Sequence, residues 1–283
     1  MKSRTTILFI LFTAAVAVLF AADIAVGSVS IPIRDVWAAL TGGECDPTTA
    51  RIIRDIRLMK AVVALVAGAA LAVSGLQMQT LFRNPLAGPY VLGVSSGASL
   101  GVALFILGAP MLGLTGHAWL SSLGVAGAAW IGAAATLALV AAISTRIKDI
   151  MVILILGMMI SSGVSAIVQI LQYLSAEEAL KSFVIWTMGS LGDVTATQLA
   201  LLLPAVAAGA ALSVAAIKSL NMLLLGENYA RSMGLDLHRS RSIILLSTTL
   251  LAGTVTAFCG PIGFIGLAMP HVARVIFRNA DHR

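Results

Sequence analysis

The feature that most limits what this chain can fold into is a succession of long apolar runs separated by short polar connections. They fall at roughly 6–27, 58–80, 92–113, 118–143, 150–172, 197–217, 242–259 and 262–277. About 20 apolar residues wound as a helix cross the ~30 Å hydrocarbon layer of a membrane. The runs are continuous rather than alternating, which favours helices over barrel strands. Charged residues make up 11% of the 283 and apolar residues 59%, where a soluble domain carries roughly a quarter charged. The expected fold is all-α, a polytopic transmembrane helix bundle of about eight spans in a single domain over residues 1–283. The first run follows Lys2 and Arg4, as a secretory signal would, but its apolar core from Ile7 to Ala22 is long and no small-x-small cleavage site follows. It reads as an uncleaved first span.

Cations orient the bundle, because loops on the cytoplasmic side carry an excess of Lys and Arg. With the N-terminus inside, twelve cations fall inside (Lys2, Arg4, Arg83, Arg146, Lys148, Lys218, Arg231, Arg239, Arg241, Arg274, Arg278, Arg283) and six outside (Arg34, Arg51, Arg54, Arg57, Lys60, Lys181). This also accounts for the net charge of +6 without nucleic acid, since no dense basic patch forms. Residues 28–57 become an outer loop and residues 218–241 the longest cytoplasmic connection. The exception is the outer stretch RIIRDIRLMK, whose Arg51, Arg54, Arg57 and Lys60 recur every three residues near one helical face. Two readings stand: they serve an external partner, or they bind lipid head groups and nearby acids such as Asp55.

Small residues recur every fourth position at Ala64, Gly68, Ala72, at Gly93, Gly97, Gly101 and at Gly124, Ala128, Gly132, the pattern that lets helix backbones approach in lipid. In the fifth run Ser161, Ser165, Gln169 and Gln172 share one face; such a stripe either bonds neighbouring helices or lines a wet path. Ser175 with Glu178 three residues on reads as a capping box opening a short surface helix that ends near Gly189. Inside, Gly234 divides LNMLLLGENYARSMGLDLHRSR into a short helix from Glu227 to Met233 and another opened by Asp236 as N-cap. The loop is either a surface for a partner's groove or a solvated connector.

Catalytic motifs are sparse. There is no GxxxxGK[ST] phosphate loop and no HExxH, and the four histidines sit on separate segments. Gly93-Val94-Ser95-Ser96-Gly97 matches GxSxG, but it opens an apolar helix instead of turning out of a strand. His271 after Pro270 reads as a packing or interfacial histidine. Cys45 and Cys259 have no ligand or redox spacing. No catalytic residue and no metal site is expected.

Four segments in order carry a family resemblance: GAALAVSGLQMQTLFRNPLAGPYVLGVSSGASLG (68–101), WTMGSL (186–191), the 220–241 loop, and GPIGFIGLAMPHVARVIFRNADHR (260–283). Together they resemble the permease subunits of ATP-binding-cassette importers for iron-siderophores, haem and vitamin B12. The resemblance implies a multi-pass protein of the cytoplasmic (inner) membrane with ten spans, about eight of which fall within these 283 residues. It also implies a permease homodimer, an ATPase dimer beneath and an extracytoplasmic substrate-binding protein above. ATP and Mg would then lie on the ATPase, with no cofactor on this chain. Gly226, Glu227, Ala230, Arg231, Gly234 and Asp236 match the family's ATPase-coupling loop. Arg57 and Lys60 match its binding-protein docking pair, with Met59 where the family has proline and Lys60 where it has arginine. Ser161, Ser165, Gln169 and Gln172 fall on its translocation helix. The alternative is a secondary transporter driven by an ion gradient, for which Asp23, near the outer end of the first run, is the one candidate carboxylate. An intramembrane hydrolase lacks a convincing nucleophile.

Overall fold

The computed structural model describes residues 2–108, 122–144, 147, 149–278 and 281–282. Among them there is helix and connection but no strand. Eleven helices follow in order: α1 Lys2–Ala25, α2 Ile33–Thr41, α3 Pro47–Leu81, α4 Val94–Gly108, α5 Ser122–Ser144, α6 Ile150–Leu174, α7 Glu177–Met188, α8 Ala196–Leu224, α9 Glu227–Ser232, α10 Leu237–Cys259 and α11 Ile265–Phe277. Five of these are long and apolar enough to cross a membrane, namely α1, α3, α6, α8 and α10, while α4, α5 and α11 are shorter apolar helices. All eight expected runs are therefore helical. The expected ends of the third and fourth, 109–113 and 118–121, lie outside the described residues, as do Arg146, Lys148 and Arg283.

Two helix starts differ from the sequence reading. The outer segment 28–57 is largely helical: α2 lies within it, and α3 starts there, with Asp46 capping Thr49 N–H at 3.0 Å and Pro47 as the first helical residue. The capping box expected at Ser175 is absent, because Ser175 ends α6 instead and donates its hydroxyl to the Gln172 carbonyl at 2.9 Å. A capping box does form at Thr195 and Gln198, where α8 begins.

The bundle is built around α10, the most buried of its long helices. Gln77 of α3 donates to Ser247 Oγ at 3.0 Å and accepts from Thr248 Oγ1 at 2.9 Å, and Ser247 in turn donates to the Gly209 carbonyl of α8 at 2.8 Å. Shut off from solvent, with Gln77, Ser247 and Thr248 all buried, this cluster ties three helices. A tight seam joins α4 to α5, as the small-residue spacing predicts: a Cβ at Gly101 would overlap the Ala128 carbonyl, and one at Gly132 the Gly97 carbonyl. Gly68, on the Ala64–Ala72 stripe, faces open space. α1 is the least buried span, resting on the bundle through its outer end and through Phe9 and Phe12 against Phe277.

These contacts sort the chain into two ends. Asp23, Arg57 and Lys60 meet at one end. Thr80, Asn221, Gly226, Glu227, Arg241 and His282 gather at the other. α3 runs from the first end to the second; the cation count expects the first to be outer and the second inner, and the two ends are named accordingly.

Candidate functional site

At the outer end, α3 passes after its first turn into a wide π-helical stretch over Ile52–Leu58. Such a stretch alters the angular register of the residues within it, and the four cations do not share a fate. Arg57, expected at the docking rim, is 6% exposed. Its guanidinium donates to the carbonyls of Ile24 at 3.1 Å, Ala25 at 2.8 Å and Val29. The last carbonyls of a helix lack intrahelical partners, and the five-donor guanidinium fork supplies them for the end of α1. Arg57 is thus a clamp holding α1 to α3 rather than a group a partner can reach. Arg54 donates Nε to the Ala39 carbonyl of α2 at 2.6 Å yet remains exposed, as does Arg51. Lys60 is exposed and pairs loosely with Asp23 at 3.5 Å. That pairing leaves Asp23, the one candidate carboxylate of an ion-coupled transporter, partly exposed beside a lysine.

On α6 the polar stripe divides. Ser161 is half-buried and donates to the Gly157 carbonyl of its own helix at 2.8 Å, close to Gly93 of α4. Ser165 and Gln169 are exposed and Gln172 is half-buried. The inner part of the stripe belongs to the seam with α4, and the outer part lies open on a helix that is itself largely uncovered. The GxSxG match opens α4, with Ser96 donating to the Gly93 carbonyl at 3.1 Å. His271 is exposed on α11.

At the inner end, the loop after α8 forms the small helix α9 between two left-handed glycines, Gly226 (φ 103°) and Gly234 (φ 85°). Those backbone angles cost a side-chain-bearing residue energy, and glycine adopts them freely. Ala230 points inward, fully buried among Leu223, Phe82 and Ile244. Glu227 Oε1 meets Arg241 of α10 at 2.6 Å, both side chains mostly buried. Asp236 accepts from Arg239 N–H at 3.0 Å and so caps α10, as expected. Arg231 is exposed, together with Tyr229 and Met233, four residues apart and each about half exposed. Sequence reasoning passed over these two. The available signal was a pair of large apolar residues at helical spacing in a connection between two apolar runs.

Behind the loop, Asn221 of α8 receives the C-terminal residues. Its Nδ2 donates to Asp281 Oδ1 at 2.6 Å, and its Oδ1 accepts from the backbone N–H of His282 at 3.0 Å. The imidazole of His282 lies 2.9 Å from Thr80 Oγ1. Burial first and Arg274 second push its pKa below the ordinary histidine value, with Asp281 opposing.

The chain matches known proteins along nearly its full length: residues 14–283 fit the FecCD transport family. The chain belongs to that family. It is similar to the hemin transport system permease protein HmuU of Yersinia pestis, at 35% identity over 262 residues that cover 91% of this chain and 75% of that protein. It is also similar to the ferric enterobactin transport system permease protein FepD of Escherichia coli K12, at 33% over 265 residues, covering 93% and 76%. A solved metal-chelate type ABC transporter in an inward-facing conformation superposes with a TM-score of 0.82 at 30% identity, covering 98% of this chain and 83% of that one. This FecCD protein is a permease subunit of an ABC importer and a multi-pass protein of the inner membrane.

Proposed function

We propose that this permease carries a metal chelate of the iron-siderophore, haem or cobalamin class and works as a homodimer. An ATPase dimer docks on the inner loop and a substrate-binding protein on the outer rim. ATP and Mg bind on the ATPase, and this chain holds no cofactor. The observation that carries this reading is the sorting of two chemically different surfaces to opposite ends of one bundle. The outer rim offers Arg51, Arg54 and Lys60 to an acidic partner, where charge steers encounter and fixes register. The inner loop offers Tyr229, Met233 and Arg231 beside the coupling positions Gly226, Glu227, Ala230, Gly234 and Asp236. In this reading Arg57 holds the rim in shape without touching the binding protein. Ser165, Gln169 and Gln172 line the translocation path once a second copy faces α6. Neutral hydroxyl and amide groups suit a bulky polar cargo, which must bind weakly enough to leave, and Ser161 sets the inner limit of that stripe.

Uptake into proteoliposomes holding the permease and its ATPase, with binding protein added, tests this. Hemin, ferric enterobactin and cyanocobalamin serve as probes. ATP-dependent accumulation of one of them is expected. Accumulation driven by a proton or sodium gradient without ATP would favour the secondary transporter and overturn the proposal.

A further inference from the structure

The coupling helix is tied to the bundle in an uneven way. Its two ends are glycines at positive φ, and the turn at Gly234 is closed by backbone bonds, Gly234 N–H to the Arg231 carbonyl at 2.9 Å and Leu235 N–H to the Ala230 carbonyl at 3.0 Å. Between them its side-chain hold on the bundle includes Ala230, buried to 0% exposure, and the Glu227–Arg241 pair at 2.6 Å. Ala230 contributes a single methyl group, enough to fix how closely α9 approaches but too small to fix its rotation. The ion pair fixes rotation. Glu227 is the first residue of α9, where a carboxylate is favoured by the free N–H groups and the positive end of the helix. Arg241 lies inside the second turn of α10, beyond the cap at Asp236. The pair therefore bridges the start of α9 and the rigid part of α10, spanning the Gly234 joint. Arg241 and Glu227 have side chains only 13% and 25% exposed, so solvent weakens the attraction less than at a surface pair.

We infer that Glu227 and Arg241 form a strut that makes α9 and α10 move as one body, and that Arg241 is a positioning residue for coupling. Glu227 serves the ATPase contact indirectly, by holding Tyr229, Arg231 and Met233 in orientation. Motion pressed on α9 then passes into α10, whose Ser247 and Thr248 are bonded to α3 through Gln77. From α3 it reaches α11, because Gln79 donates to the Leu267 carbonyl at 2.9 Å and accepts from Arg274 at 2.8 Å. Without the strut, the Gly234 joint absorbs the motion.

The inference rests on the inner loop being the ATPase contact, and one experiment separates the two ideas. Cys45 is replaced by Ser and Cys259 by Ala, and spin labels are placed at Ser232 and Ser242, both exposed. Label-to-label distances are then measured in the permease–ATPase complex, without nucleotide and with ATP and vanadate. The strut predicts one narrow distance, the same in both states. It predicts that Arg241→Gln at least doubles the width of the distribution, and that the exchanged pair Glu227→Arg with Arg241→Glu restores the narrow one. A parent distance that shifts with nucleotide, an Arg241→Gln distribution as narrow as the parent's, or an exchange as broad as Arg241→Gln would each overturn the strut. Mobility of the Ser232 label alone, with and without ATPase, tests the loop assignment separately. A label that the ATPase does not slow would remove the loop as the contact while leaving the distance result to stand or fall on its own.

Discussion

The outer cationic segment and the inner loop around α9 handle their charges in opposite ways. Outside, the most deeply placed charge, Arg57, is spent on backbone carbonyls, and its neighbours Arg51, Arg54 and Lys60 stay exposed. Inside, a charge at the start of the loop and one beyond its end, Glu227 and Arg241, are spent on each other, and Tyr229 and Met233 are left exposed. At both ends the residue a motif would assign to a partner is turned inward and shapes the surface that its neighbours present. The outer surface is polar and sensitive to salt. The inner one is an aromatic and thioether patch, the kind of anchor that concentrates binding energy.

The largest effect expected from this contrast is at Arg57. Arg57→Ala strips the donors from three carbonyls, each costing about 1–3 kcal/mol when buried and unpaired, a large part of typical folding stability. If water repairs much of the loss and about 3 kcal/mol remains, the thermal midpoint of the purified protein should fall by roughly 6–12 °C. Arg57→Lys should recover little, because a single ammonium cannot serve the fork geometry. An unchanged midpoint with lost binding-protein association would return Arg57 to the docking surface.

Next in size is Tyr229→Ala, expected to weaken association with the ATPase by about tenfold or more, as loss of an aromatic anchor does, while the thermal midpoint holds. Pull-down titration of the ATPase measures it. Equal affinity would show that the inner surface is not organised around this side chain. Lys60→Glu should be smaller, a few-fold loss of binding-protein association at low salt that shrinks as salt rises, read by surface-based binding at two ionic strengths. A loss independent of salt would mean that the rim is not electrostatic.

The smallest effect concerns the hook of Asp281 and His282 on Asn221. Since the folded environment depresses the His282 pKa, the neutral imidazole is the form the fold favours. Stability from this site is present above the ordinary histidine pKa and is lost as pH falls through it toward the lower folded value. Hydrogen exchange of the C-terminal peptide, corrected for intrinsic rates, should accelerate between pH 7.5 and pH 5, and His282→Gln should remove that pH dependence. Acceleration persisting in the variant would assign it elsewhere.

The spans were legible in the sequence because the thickness of a lipid bilayer dictates a minimum apolar length that nothing else in a chain imitates. The α4–α5 seam was legible for a related reason: Gly97, Gly101 and Gly132 fall at helical spacing, and only close backbone approach uses them. Asp236 was legible as a cap because capping is local. Arg57 was not. Spacing of three says which residues are near one face but not which way the face points, and the wide turn over Ile52–Leu58 separates Arg57 from Lys60. Ser175 was misread because the same Ser-x-x-Glu pattern can follow the end of one helix as well as begin the next. The Glu227–Arg241 pair was hidden because it forms across a glycine joint whose angle no periodicity encodes.

The account stands on the two surfaces facing opposite sides of the membrane, and cysteine accessibility tests that most directly. Single cysteines are placed at Lys60 and Arg231 in the background lacking Cys45 and Cys259, and intact cells are treated with a membrane-impermeant maleimide. Labelling at position 60 in intact cells, and at position 231 only after the membrane is opened, is the predicted result. Both positions labelled from the same side would contradict it.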